Sequence, residues 1–455
     1  MNHHEPHSED EYFHIITGSA GLYDATWPNL HIDAHVEAVR EGARNNTIEA
    51  DVTFTSRRVS GPGHLRHARL TLGSQSGKDS YIRSLKKREP LIDFDTVVEQ
   101  LCVGIIRRYR EGSPVVKSQA NEDVDSLVDW HVASLIDTGS SSLIFAPGGS
   151  GKSWFCQLIT IMVANGIDYV GLRVRQCPVL YLDWETTQTT FERRMTMIRK
   201  GLGIGKDEYD NVYYRQMSRP FVNDTVEITA QIRKHGIGLI VVDSMGLASG
   251  GRQNDDDTII ELTRAMSGVS EAVGGNLSKL IIDHPAKMPG EGGKASPYGS
   301  GYKVTWIRNM FQLRKDEVQG KKNIAVGLFH EKTNDAPRLE DQGFEINFET
   351  PGQVKFFRRE VPETPGLEQY QSWRQRCLTL LKEYPEGLTP VEASDLLGAS
   401  LAQIRKEFSN GANDRNPDFV LLKDGMGKSL GKYVLAYYGG DDPPQGRERK
   451  GWYLP

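Results

Sequence analysis

Ala146-Pro147-Gly148-Gly149-Ser150-Gly151-Lys152-Ser153 is the stretch on which the reading of this 455-residue chain turns. It follows a short apolar run, Ser141 to Phe145, and opens a segment of helical character, Lys152 to Ala164. A strand, a glycine-rich turn and a helix in that order can wrap phosphate. The glycines let backbone N–H groups face inward, and the helix N-terminus favours negative charge. Lys152 then neutralises the β- and γ-phosphates of a nucleotide, and Ser153 is a ligand for Mg²⁺. Ala146 stands where glycine is usual, but it precedes the phosphate-wrapping turn. Residues 146–153 are therefore the expected nucleotide-binding set.

Around this loop, from about residue 129 to 350, short apolar runs alternate with helical segments. That is the pattern of an α/β domain with a parallel sheet. Val179 to Leu182, Gly238 to Val242 and Leu280 to Ile282 read as buried central strands. Each is followed at once by an aspartate, Asp183, Asp243 or Asp283, and ligands sit at the carboxyl edge of such sheets. Asp243 at the end of its strand is the expected partner of Ser153 in holding Mg²⁺. Asp183 and Glu185 follow another strand, which is expected beside the strand of the loop. Glu185 is the candidate general base for water, with Asp183 as the alternative. His284, after the third strand, is the candidate sensor of the γ-phosphate.

These parts, in this order, resemble the RecA-like ATPases related to the RepA-type hexameric replicative helicases. The resemblance covers about residues 129–348. It implies an ATP-hydrolysing enzyme with Mg²⁺ that forms a ring, expected to be a hexamer, and moves along single-stranded DNA. It maps the catalytic carboxylate onto Glu185 and places a Gly-Ser turn at Tyr298 to Gly301. It also implies that Lys332, with Arg338 second, reaches the γ-phosphate of a neighbouring subunit. The loop from Pro285 to Lys303 falls where the family's DNA loops lie, so Lys287, Lys294 and Lys303 are expected to contact phosphates without reading sequence.

The flanks carry weaker signals. Residues 1–11 read as a disordered leader, and residues 12–120 as a small α+β domain. In that domain Glu49 to Ser56 and Leu65 to Leu72 are strands around a turn at Gly61-Pro62-Gly63, and Phe94 to Arg110 is a helix. Asn121 to Asp125 is an acidic linker. Residues 370–438 read as three helices and a hairpin, the outline of a winged helix, with Arg405, Lys406, Lys423, Lys428 and Lys432 favouring DNA. A capping box at Thr389-Pro390-Val391-Glu392 opens its second helix. Residues 439–455 read as a tail.

Bulk composition excludes several classes. With 38% hydrophobic and 25% charged residues the chain is ordinary for a soluble protein, and its net charge of −5 is not that of a globally basic nucleic-acid binder. Cys102, Cys156, Cys177 and Cys377 are too scattered for a disulfide framework or zinc site, which favours a cytoplasmic location. No apolar run is long enough to span a membrane. Two further function classes stay open: an ATP-dependent replication or recombination regulator that binds DNA without unwinding it, and a signalling or defence ATPase whose flanking domains bind proteins.

Overall fold

The computed structural model describes residues 14–17, 23–41, 47–58, 63–112, 115, 117, 129–205, 211–286, 296–316, 322–335, 338–361, 371–414, 417–423 and 429–436. The leader, the linker at 121–125, Gly61, Pro62, Lys287, Lys294, Lys428 and the tail lie outside the described residues. The chain divides into two units, residues 1–312 with 330–339, and residues 313–329 with 340–455.

The first unit begins with an antiparallel sheet whose order follows the chain: β1 (His14–Thr17), β2 (Tyr23–Trp27), β3 (Ile32–Glu41), β4 (Ile48–Ser56) and β5 (His64–Thr71). In β4 every second residue is buried, which is the signature of a sheet with one covered face. The cover is α1 (Gln75–Lys86) and α2 (Phe94–Glu111). Phe94, Val97, Val98, Leu101 and Ile105 recur at helical spacing and pack with Trp27, Val52 and Phe54 in one apolar cluster. The first three strands gave no sequence signal strong enough to be read in advance.

After β6 (Trp130–Val132) and β7 (Ile136–Asp137) comes the parallel sheet. Its strands are β8 (Ser141–Phe145), β9 (Val179–Asp183), β10 (Val212–Gln216), β11 (Leu239–Asp243), β12 (Ser278–Asp283) and β13 (Asn309–Asp316). They are ordered β10-β9-β11-β12-β8-β13. Four of them, β8, β9, β11 and β12, are buried along their whole length, so helices cover both faces. Those helices are α3 (Lys152–Asn165), α4 (Gln188–Leu202), α5 (Thr225–His235), the short α6 (Met245–Ala248), α7 (Asp256–Ala272) and α8 (Gly301–Trp306). A mainly parallel sheet with the loop at the end of a central strand fits a RecA-like P-loop core.

The sheet order corrects one expectation. Strand β9 does not lie beside the loop strand β8. It pairs with β10 and β11, and β8 lies between β12 and β13. Nearness in sequence misled, because a crossover helix can carry the chain past several strands. At about 4.8 Å per strand, three steps put β9 roughly 14 Å from β8. Strand β10, which sequence reading missed, is only half-buried, as suits an edge strand.

The second unit contains the antiparallel run of β14 (Asn323–Lys332), β15 (Gln342–Asn347) and β16 (Lys355–Arg359), although His330 to Lys332 group with the first unit. It ends in α9 (Trp373–Glu383), α10 (Pro390–Leu397), α11 (Leu401–Ala412) and a hairpin of β17 (Phe419–Lys423) and β18 (Ser429–Leu435). The capping box at α10 forms: Thr389 Oγ1 accepts from Glu392 N at 3.2 Å, and Glu392 Oε2 accepts from Thr389 N at 2.8 Å. Leu381, Ile404, Phe408 and Phe419 make a separate small core.

Candidate active site

The phosphate loop leaves β8 without breaking the sheet ladder, since Ala146 N donates to Asp283 O at 3.2 Å. Gly149 and Gly151 then take φ of 72° and 89°. This left-handed backbone disfavours any residue with a Cβ, which is why the loop is glycine-rich. Ser150 Oγ donates to Pro147 O at 2.7 Å and pins the turn. Lys152, the first residue of α3, is buried, and its ammonium donates to Ala146 O at 2.6 Å and Pro147 O at 2.9 Å. Burial pushes its pKa down, while Glu185 and Asp243 pull it back up.

Asp243 ends β11 at 1% exposure. Tyr181 OH, on neighbouring β9, donates to its Oδ2 at 2.7 Å. Oδ1 is buried with no hydrogen-bond partner among the described residues. Burial raises the carboxyl to about 6 against the opposing pull of the Tyr181 hydroxyl. A buried carboxylate oxygen with no donor costs free energy, and a hard cation is one group that satisfies it. The Asp243 carboxylate therefore fits Mg²⁺ and would hold it; the Ser153 side chain, which acts on the same carboxyl, is the other expected ligand, and the ion would neutralise charge on a bound triphosphate. No cluster of three or more His, Cys, Asp or Glu suited to a metal occurs among the described residues.

The two carboxylates after β9 do different things. Asp183 is fully engaged in the turn: Oδ1 accepts from Glu185 N at 2.8 Å and Thr186 N at 2.9 Å, and Oδ2 accepts from Thr186 Oγ1 at 2.6 Å. Trp184 N extends the ladder to Asp243 O at 2.7 Å. Together these bonds turn the chain back across the end of β11, so that Glu185 reaches the residue following β12. Glu185 Oε1 and His284 Nε2 are 3.4 Å apart. The hydrogen bond from His284 leads in holding the Glu185 pKa low against partial burial, with Ser244 and Lys152 adding to it. Lys152, Asp243, Glu185 and His284 thus meet at one edge of the sheet. An ionised, half-buried carboxylate facing a lysine and a phosphate-wrapping loop can accept a proton from water.

Two further lysines singled out in the sequence lie at α8. Lys332 Nζ donates to Val304 O at 2.6 Å and Ile307 O at 2.5 Å, at the C-terminus of α8. There it satisfies carbonyls that the helix leaves unpaired. It has no hydrogen bond or ion pair with the four residues above. The expectation for Lys303 is corrected outright. Its side chain is fully buried and ion-paired with Asp283, so it is not a loop lysine free to meet a strand. A charge drawn from a Gly-rich stretch looked mobile in sequence, but it belongs to the first turn of α8.

Sequence reasoning passed over Tyr181. Its signal was one tyrosine in an otherwise aliphatic buried run, where the hydroxyl must find an acceptor.

Residues 109–290 match the family model described as the AAA domain, a span that holds the phosphate loop, Glu185, Asp243 and His284. The match and the loop together support a P-loop ATPase domain. The chain is also similar to the KaiC-like protein of the hyperthermophilic archaeon Pyrococcus horikoshii OT3, at 16% identity and a TM-score of 0.35, over 53% of this chain and 98% of that one. No curated protein matches. Among the described residues, no helix is long and apolar enough to cross a membrane.

Proposed function

We propose that this chain is an ATP-hydrolysing RecA-like motor that acts on single-stranded DNA as a ring-forming, hexameric replicative helicase in the cytoplasm. One observation carries the hydrolytic part: Lys152, Asp243, Glu185 and His284 converge beside the phosphate loop although they come from four separate segments. Lys152 and the loop amides hold the triphosphate. Asp243 and Ser153 hold Mg²⁺, which neutralises phosphate charge. Glu185 is the base for the attacking water, and its contact with His284 ties that base to the segment leaving β12.

The strand-handling part rests on sequence resemblance. The segment after His284 leads through residues 287–295 to α8, so a change at Glu185 and His284 has a direct covalent path to the loop expected at DNA. Lys332 as a trans-acting cation is part of the same proposal, and so is a winged-helix role for residues 370–438. The test is ATP turnover with and without a single-stranded oligonucleotide, in the wild type and in Lys152→Ala. Strand stimulation, lost in the variant, is expected, together with displacement of a forked duplex. Turnover that ignores DNA would remove the motor reading.

A second reading is favoured by one specific observation. Lys303, one of the three lysines expected at a strand, is buried and paired with Asp283, which leaves fewer cations for a moving strand. An ATP-dependent regulator that binds DNA without unwinding it fits that. DNA-stimulated turnover without strand displacement would select it.

A further inference from the structure

Strands β8, β12 and β13 begin at Ser141, Ser278 and Asn309, at the edge of the sheet opposite the phosphate loop. Five residues of strand separate the two edges by roughly 16 Å. Here a cavity of about 500 Å³ opens, lined among others by Ser140, Asn276, Lys279, Trp306, Arg308 and Asp335. Its polar lining contrasts with the apolar core above it.

Lys279 is the unusual residue. Its side chain is buried, with the residue 3% exposed, yet no carboxylate lies within ion-pair distance among the described residues. Among the described residues its ammonium donates only to Leu277 O, at 2.8 Å, which leaves two of its three protons without an acceptor there. A lysine so placed is rarely buried unless something compensates its charge. Burial alone pushes its pKa down to about 8, and an anion beside it would restore the charged form. Arg308 stands exposed at the same cavity with no ion pair among the described residues, and its backbone N is held to Ser141 O at 2.9 Å. Against these two cations the cavity wall sets one exposed carboxylate, Asp335. The Trp306 indole is held by Ser267 Oγ at 3.4 Å and gives the cavity an aromatic wall.

We propose that this cavity is a second ligand site, separate from the phosphate loop, for a small phosphate-bearing molecule. The phosphate sits between the Lys279 ammonium and the Arg308 guanidinium, a point charge and a planar fork that together suit its oxygens. The volume is larger than a phosphate needs and falls in the range of small-molecule sites, so the rest of the ligand lies against Trp306 and Asn276. The inference does not depend on the motor reading.

The probe is inorganic pyrophosphate, titrated calorimetrically into the full chain. Lys152→Ala serves as the background, to weaken competition from the phosphate loop. One binding event is expected to persist there. It should weaken by ~10-fold or more in Lys279→Met and in Arg308→Ala, the loss expected for a charge-assisted contact. Arg308 is exposed, so its truncation reads the site even if Lys279→Met fails to fold. Abolition of all pyrophosphate binding by Lys152→Ala would overturn the proposal, and so would residual binding indifferent to Arg308→Ala.

Discussion

Lys303 Nζ lies 2.6 Å from Asp283 Oδ2, and neither side chain reaches solvent. The same ammonium donates to Tyr298 O at 2.5 Å and Gln253 Oε1 at 3.2 Å. Asp283 is the last residue of β12, and its neighbour His284 touches Glu185. The buried pair therefore fastens the first turn of α8 to the strand end that presents His284. Removing one partner leaves the other charge buried alone. Lys303→Met is expected to cost about 3–5 kcal/mol, read by denaturant unfolding of the full chain. The double variant Lys303→Met with Asp283→Asn should recover much of that loss. A single variant as stable as wild type would show that the pair does not hold this edge together.

Glu185→Gln keeps the shape of the side chain and removes its basicity. Turnover should fall ~100-fold or more while nucleotide affinity is retained, since a general base contributes about 10²–10⁴ to rate and little to ground-state binding. Steady-state kinetics combined with binding of a fluorescent ATP analogue separates the two quantities. Asp183→Asn should behave differently, loosening the turn into α4 and lowering stability as well as rate. An equal fall in affinity and turnover for Glu185→Gln would argue that the residue only binds.

His330 stacks on Phe311 with ring centroids 4.3 Å apart, and its Nδ1 accepts from Leu339 N at 2.9 Å. Burial pushes its pKa from 6.5 down to about 4. The folded protein holds the neutral ring, whereas the unfolded chain binds a proton below 6.5. Its contribution is therefore complete above pH 6.5 and is lost progressively as pH falls toward 4, by roughly 3 kcal/mol in all. Unfolding midpoints measured between pH 4 and 7 should show this slope, and His330→Gln should flatten it. An unchanged slope in the variant would assign the acid sensitivity to other groups.

Gly299 precedes α8 with φ of 108°, and a Cβ there would meet Gln253 O at 2.4 Å. That carbonyl also accepts from Ser300 N at 2.9 Å. Gly299→Ala should therefore strain the turn that delivers Lys303, costing about 1–3 kcal/mol. ATP turnover should fall with it through the displaced Asp283 and His284. A fully active, fully stable Gly299→Ala would mean the turn has slack that the close contact does not suggest.

Much of the α/β core was legible because its strands are apolar runs with helices between them. Ser141 to Phe145 was read with its observed bounds, and the strand ends at Asp183, Asp243 and Asp283 fell within a residue or two. The antiparallel strands were harder. β4 announced itself by alternation, but β2, β3 and β16 carry charges on their exposed faces and offer no comparable pattern. β10 is an edge strand, and with one side unpaired it needs less apolar sequence to form.

The residues of the candidate site were legible as types and as strand ends, and their contacts were not. A motif announces a phosphate-wrapping backbone because glycine and lysine at fixed spacing act locally, within one turn and one helix. Local residue order was enough to specify that loop and the carboxylates at strand ends. Tertiary structure alone decided that β9 stands three strands from β8, that Glu185 crosses back to His284, that Asp183 closes a turn, and that Lys303 and Lys332 face inward. Those outcomes follow from strand order and from the cost of leaving buried charge unpaired. Both are set by residues tens or hundreds of positions apart, which no local pattern records.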